Sequence, residues 1–264
     1  MPRTCRYFAE NRESALVRFA VAKARRILEC YENANNYDFS TNGEARVMKA
    51  LAGADIQLVF DVGANVGDWA LLASQHFPNA SIQCFEVLPE TADRLAEAVQ
   101  GVPQITVNRL GLSRDDEEVR LKTFKGFSAL TSLVEVEHDF AEAGESVGRV
   151  TTGDKFCSDR GVGHIDFLKI DVEAAEFMVM QGFSSMLSAQ RIDVIQFEYG
   201  TGSIISKFML RDYYALLTGF GYAVGKIYPK NVEFREYHEC HEDFIGPNML
   251  AVNRQRADLI AALS

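Results

Sequence analysis

Apolar and polar positions change period twice along this chain. Between residues 12 and 32 apolar side chains recur at helical spacing (Ala15, Leu16, Phe19, Ala20, Ala24, Ile27, Leu28, Tyr31), which predicts an amphipathic helix. The polar stretch Glu32 to Asn42 breaks that pattern, and a second helix is expected from Gly43 to Ala52. From Gln57 onward short apolar runs alternate with helical ones. Leu58 to Val62 reads as a buried strand, Val66 to Phe77 as a helix stopped by Pro78, and Ser81 to Phe85 as a second strand. Pro89 to Val99 reads as a helix with proline at its start, and Ile105 to Arg109 as a third strand. Strand and helix alternating at this spacing predict a parallel sheet with right-handed crossovers, an α/β fold.

The middle is less regular. Glu118 to Phe124 alternates like an exposed strand, and Gly126 to Gly148 is polar enough to predict a mobile loop with a weak helix. Ile165 to Ile170 and Ile192 to Phe197 are strongly apolar strands, followed by helices expected at Glu173 to Leu187 and Ile204 to Leu217. Strands near Tyr222 to Ile227 and Met249 to Val252, then a helix from Arg254 to Leu263, complete the pattern. Residues 1–54 are expected to form a helical extension or lid, and 55–264 one domain.

Composition narrows the function. The 264 residues are 47% hydrophobic, enough for one sizeable core. A formal charge of -10 argues against nucleic acid as partner, because such binders present a basic face. The N-terminal segment runs the other way: Arg3, Arg6, Arg12, Arg18, Lys23, Arg25 and Arg26 outnumber Glu10, Glu13 and Glu29. A solvated helix face is the plain reading of that run, and an anionic partner or membrane surface the sharper one. Five cysteines without a C-x-x-C pair suit a reducing compartment, and no apolar run is long enough to span a membrane. With no apolar leader at the N-terminus, a cytoplasmic location is expected.

Two constellations carry chemistry. In the first, Asp61-Val62-Gly63-Ala64-Asn65-Val66-Gly67 joins the first strand to its helix. Gly63 permits a sharp turn, Ala64 and Gly67 let a ligand approach the backbone, and the helix start offers free N–H groups. About twenty residues on, the second strand ends in Glu86-Val87, where a carboxylate can bind the two hydroxyls of a ribose. Together they predict a nucleoside-containing cofactor. Asn65 occupies the place where a dinucleotide loop needs its second glycine, which disfavours a pyrophosphate and suits a phosphate-free cofactor such as S-adenosylmethionine.

In the second constellation two buried strands run into acids, Asp171 and Glu198. On neighbouring parallel strands these carboxylates meet at one sheet edge. They can act as a base on an acceptor hydroxyl or hold a divalent cation such as Mg. A pairing with Lys169 and a helix-capping role for Asp171 is the purely structural alternative. The late segment His238-Glu239-Cys240-His241-Glu242-Asp243 offers His238 or His241 as another base. Ser128 to Leu133 adds hydroxyls, and Asp115 to Glu118 reads as a solvated turn.

These pieces resemble the FkbM-type methyltransferase family. The resemblance rests on V-F-D-V-G-A-N-V-G-D (59–68), C-F-E-V-L-P-E (84–90), N-x-x-G-L-S (108–113), D-F-L-K-I-D-V-E-A-A-E (166–176) and I-Q-F-E-Y (195–199). Ala174 stands where the family usually has glycine. The resemblance implies a class I methyltransferase fold: a doubly wound, mostly parallel seven-stranded sheet whose last strand is antiparallel. It also implies S-adenosylmethionine and O-methylation of natural products or saccharides. On that footing Asp61, Gly63, Ala64, Asn65, Gly67, Glu86, Val87, Asn108, Gly111, Leu112 and Asp171 are expected to bind the cofactor. Asp171, Glu198 and His241 are expected to be catalytic, with Asp171 and Glu198 the ligands of any metal. The expected partner is a small-molecule acceptor, and the N-terminal helices are candidates for a homodimer contact. The alternatives are an NAD-dependent oxidoreductase and a non-catalytic module on the same fold.

Overall fold

A computed structural model describes residues 3–124 and 142–264. The N-terminal helices are α1 (Arg3–Glu10), α2 (Ala15–Tyr31) and α3 (Glu44–Leu51). The expected alternation follows: β1 (Leu58–Val62), α4 (Asp68–His76), β2 (Ser81–Phe85), α5 (Pro89–Ala98) and β3 (Ile105–Asn108). Three strands come next, β4 (Gly111–Leu112), β5 (Glu117–Phe124) and β6 (Glu142–Thr151), then α6 (Gly153–Arg160). The second half holds β7 (Ile165–Ile170), α7 (Glu176–Gln181), α8 (Ser184–Ser188), β8 (Ile192–Glu198), α9 (Gly202–Ser206) and α10 (Leu210–Gly219). It ends with β9 (Tyr222–Ile227), β10 (Val232–Phe234), a 3-10 turn at Glu239–His241, β11 (Asn248–Asn253) and α11 (Ala257–Leu263).

The main sheet has the order β10-β9-β11-β8-β7-β1-β2-β3. β3, β2, β1, β7 and β8 are parallel, and β11 runs antiparallel between β8 and β9. This is the class I methyltransferase arrangement, with one difference. Eight strands are present rather than seven, because β10 folds back antiparallel along the outer edge of β9. A second sheet, β4-β6-β5, stands apart from the first.

Helices cover both faces of the main sheet, so its strands are apolar on both sides. Successive residues of β1 show this. Val59 packs with Met48, Trp69, Ala73 and Phe167. Phe60 packs on the opposite face with Phe85, Phe156, Leu168 and Phe183. α3 belongs to the first of these layers, with Val47, Met48 and Leu51 fully buried.

Four sequence expectations need correction. Residues 142–148, expected in a loop, form most of the ladder between β6 and β5. Residues 126–141 of that expected loop, Ser128 to Leu133 included, lie outside the described residues. The helix expected from Glu173 begins at Glu176, because Glu173 (φ 53) and Ala174 (φ 76) are left-handed; it then divides into α7 and α8 at Gly182. A Cβ on Gly182 would lie 2.1 Å from the Ser113 carbonyl oxygen, so that close approach interrupts the helical pattern. The helix expected at Ile204 divides into α9 and α10 at left-handed Lys207 (φ 64). α1 and α6 had not been expected.

Candidate functional site

The chain moves outward from β1 through β2 to β3, then returns to β7 on the other side of β1. This reversal opens a crevice at the carboxyl ends of the strands, the usual ligand position in such sheets. A cleft enclosing about 690 Å³, its solvent-filled mouth included, lies there. Gly63, Asn65, Glu86, Val87, Gly111, Leu112 and Asp171 line it.

The loop after β1 explains its own composition. Gly63 has φ 80, and a Cβ there would fall 1.8 Å from the Asp171 carbonyl oxygen, so only glycine fits. The Gly63 and Ala64 N–H groups both donate to the Phe85 carbonyl at 3.0 Å, clamping the loop onto β2. Asn65 adopts φ 47, which asparagine tolerates, and its N–H donates to Glu86 Oε2 at 3.0 Å. The Leu88 N–H donates to Glu86 Oε1 at 2.9 Å. Burial pushes the Glu86 carboxyl above its ordinary range, and these two N–H donors oppose that. Each oxygen keeps acceptor capacity toward the cleft, as a vicinal diol requires.

The remaining cofactor-loop residues have other places. Asp61 is fully buried, with Oδ1 3.2 Å from the Lys169 ammonium and Oδ2 without a hydrogen-bond partner. Ala64 is buried, and Gly67 caps α4 against Leu95. Asn108 donates to the Cys84 carbonyl at 3.1 Å, tying β3 to β2. None of these four lines the cleft. Leu121 and Val150, from the second sheet, do line it, as do Val172 and Glu173. The alternation around Leu121 signalled a strand, but nothing in it signalled which side would be covered.

The two acids meet as expected. Asp171 follows β7 and Glu198 ends β8, and a carboxylate oxygen from each lies within 4.8 Å of the other and of Glu176. Glu176 is buried and accepts the Val172 N–H at 3.0 Å. Burial, then the charges of Asp171, Glu176 and Glu173, hold Glu198 well above the ordinary carboxylate range, and it hydrogen-bonds to Asp171. Burial and Asp171 push Glu173 up to about 8, and burial pushes Glu176 up to about 7. Beneath them Lys169, 5% exposed, lies 3.3 Å from Asp171 and 3.2 Å from Asp61. Burial disfavours its charge, and Asp61, Asp171 and Glu44 together outweigh that.

The segment joining α2 to α3 crosses this same edge. The Asn35 N–H donates to the Ile245 carbonyl, and Asn33 donates to Asn42 and Ile227 carbonyls. Glu44, 3% exposed, accepts from the side-chain amides of Asn42, Gln196 and Asn248 at 2.6, 2.6 and 2.8 Å. Between these anchors Tyr37 is 62% exposed. Partial burial and the charges of Glu198, Glu173 and Asp171 raise its phenol. Neither Glu44 nor Tyr37 stood out in the sequence.

His241 is not brought into the cleft. Its Nδ1 accepts the His238 N–H at 3.0 Å, and its ring faces Tyr237. Its neighbour Glu242 fixes this segment to the sheet edge by accepting from Tyr199, Tyr237 and the Leu210 and Arg211 N–H groups.

A family model described as the methyltransferase FkbM domain matches residues 61–224. Hexuronic acid methyltransferase AglP of Haloferax volcanii is 25% identical over 161 residues, 60% of this chain and 64% of that protein. Methyltransferase sdnD of Sordaria araneosa is 28% identical over 156 residues, 47% of this chain and 59% of that protein. A solved methyltransferase FkbM from Methylobacillus flagellatus KT superposes with TM-score 0.44 at 15% identity, over 75% of this chain and 44% of that one. The chain spans less than two thirds of the length of each of these proteins. The family match takes in the loop after β1, Glu86, and both Asp171 and Glu198. This chain therefore belongs to the FkbM methyltransferase family.

Proposed function

We propose that this protein transfers a methyl group from S-adenosylmethionine to a hydroxyl of a small molecule, most simply a saccharide. The observation that carries this reading is convergence. The cleft behind the Gly63 loop and the carboxylate pair share one rim of the sheet, with Asp171 in both. Glu86 would hold the ribose, the backbone from Gly63 to Asn65 the methionine part, and Gly111 and Leu112 the adenine side. S-adenosylmethionine supplies an electrophilic methyl on a positively charged sulfur. Burial and the neighbouring acids hold Glu198 well above the ordinary carboxylate range beside Asp171, and a carboxylate of this pair would take the proton of an acceptor hydroxyl. Positioning contributes the rest by aligning acceptor oxygen and methyl carbon. Tyr37, whose phenol feels the charges of Glu198, Glu173 and Asp171, would face the acceptor. The relative that methylates a hexuronic acid supports a saccharide acceptor.

Calorimetry with S-adenosylmethionine and with NAD tests the cofactor. Binding of the first, lost in Glu86→Ala, is expected; NAD binding alone would overturn the reading. Mass spectrometry over a panel of saccharides and amines tests the acceptor. Glu198→Gln should lower turnover by about 10²-fold or more while cofactor binding persists. Unchanged turnover in both Glu198→Gln and Asp171→Asn would remove the pair from the chemistry. The same carboxylates, with Glu176, also suit a hard divalent cation. Turnover abolished by EDTA and restored by Mg would assign them to that route instead.

A further inference from the structure

α1 and α2 leave an apolar face without a covering partner among the described residues. Of the α2 side chains only Val17 is buried. Leu16, Phe19, Ile27 and Tyr31 are 72%, 61%, 69% and 75% exposed. Their spacing places them along one side of the helix. Tyr7 on α1 adds a further exposed ring. A single exposed leucine is ordinary on a soluble surface, but a row of large apolar side chains along one side of a helix, here with Lys23 among them, marks an interaction site.

Charge identifies what fits that stripe. Through Tyr31 the chain carries seven basic and three acidic side chains, whereas its total is -10. Positive charge is therefore concentrated on this segment and negative charge on the rest. Glu10 and Glu29 are engaged by Arg6 and Arg26 at 2.7 and 3.3 Å, and Arg12, Arg18, Lys23 and Arg25 are exposed. The Lys23 ammonium lies 5.5 Å from the centre of the Phe19 ring, which places a cation within the apolar row, on a stem long enough to reach the headgroup layer. Apolar side chains flanked by Lys and Arg suit the boundary between lipid headgroups and acyl chains. Two copies of so basic a segment would repel one another across a shared stripe.

We propose that α1 and α2 dock this protein onto an anionic lipid surface, with Leu16, Phe19, Ile27 and Tyr31 entering the headgroup layer and Lys23, among them, and Arg26, at their edge, meeting lipid phosphates. The inference is independent of methyl transfer. Co-sedimentation of the full chain with phosphatidylcholine vesicles, with and without phosphatidylglycerol, tests it. Binding is expected to the anionic vesicles and to fall with added salt. Leu16→Glu with Ile27→Glu, and separately Lys23→Glu with Arg26→Glu, should each weaken it roughly tenfold or more. These positions are exposed, so circular dichroism should show an unchanged fold. Absence of binding, or equal binding to both vesicle types, overturns the proposal. So does a dimer in light scattering that Leu16→Glu with Ile27→Glu splits.

Discussion

Two positions beside the cleft show opposite consequences of left-handed backbone. Ala174 holds φ 76, and its Cβ faces Gly202. An alanine in that region is strained by about 1–2 kcal/mol, and glycine would relieve it at some cost in unfolded-chain entropy. Ala174→Gly should therefore stabilise the protein by about 0.5–1 kcal/mol, read as a higher urea midpoint. Gly63 cannot change in the other direction, since its Cβ would collide with the Asp171 backbone. Gly63→Ala should abolish cofactor binding in calorimetry and lower the melting temperature. The glycine loop, Glu86 and the acids were legible because their chemistry is local in sequence. The Ala174 turn was not, because helical apolar spacing continues across it while the backbone reverses hand. Asp61 also misled. The sequence shows an acid beside the loop, and only the register of β1 with β7 reveals that Lys169 covers it.

At the scale of elements, α3 is fastened to the sheet by one side chain. Glu44 collects amides from its own turn, from β8 and from β11. Glu44→Ala should destabilise the protein by about 2–4 kcal/mol, because buried amides lose their acceptor; thermal unfolding measures it. The helix was legible from its spacing, its anchor was not. Glu44 looks like an ordinary first-turn acid until Gln196 and Asn248 arrive from distant sequence. α6 went unread for a different reason. Its sequence is half charged, and its termini are set by the Thr152 side chain accepting the Lys155 N–H and by left-handed Gly161. Those signals were present, but no apolar period drew attention to them. β10 is three residues long, too short for a pattern of its own.

Across the whole molecule, the acid cluster couples folding to pH. Glu173 is held near 8 and Glu176 near 7, both above their ordinary 4.5. Between those values the folded chain binds more protons than the unfolded one, so stability falls as pH rises. Their contribution is complete below about 4.5 and lost as pH passes through about 7 to 8. Urea midpoints should drop across that window, and Glu173→Gln should flatten the drop. The parallel half of the sheet was legible from the rhythm of its runs. The antiparallel run of the last strand came only with the family resemblance, and the place of β11 between β8 and β9 was not legible at all, since nothing local marks a strand as inserted. That insertion governs how the protein is made. As the nascent chain leaves the ribosome, β8 and β9 emerge with no hydrogen-bonding partner for the edges that face each other, and β11 is the last strand to appear. Until it arrives, two apolar strand edges are open to pairing with other chains. A chain cut just before Asn248 would leave both edges unpaired and should aggregate more than the chain that carries β11.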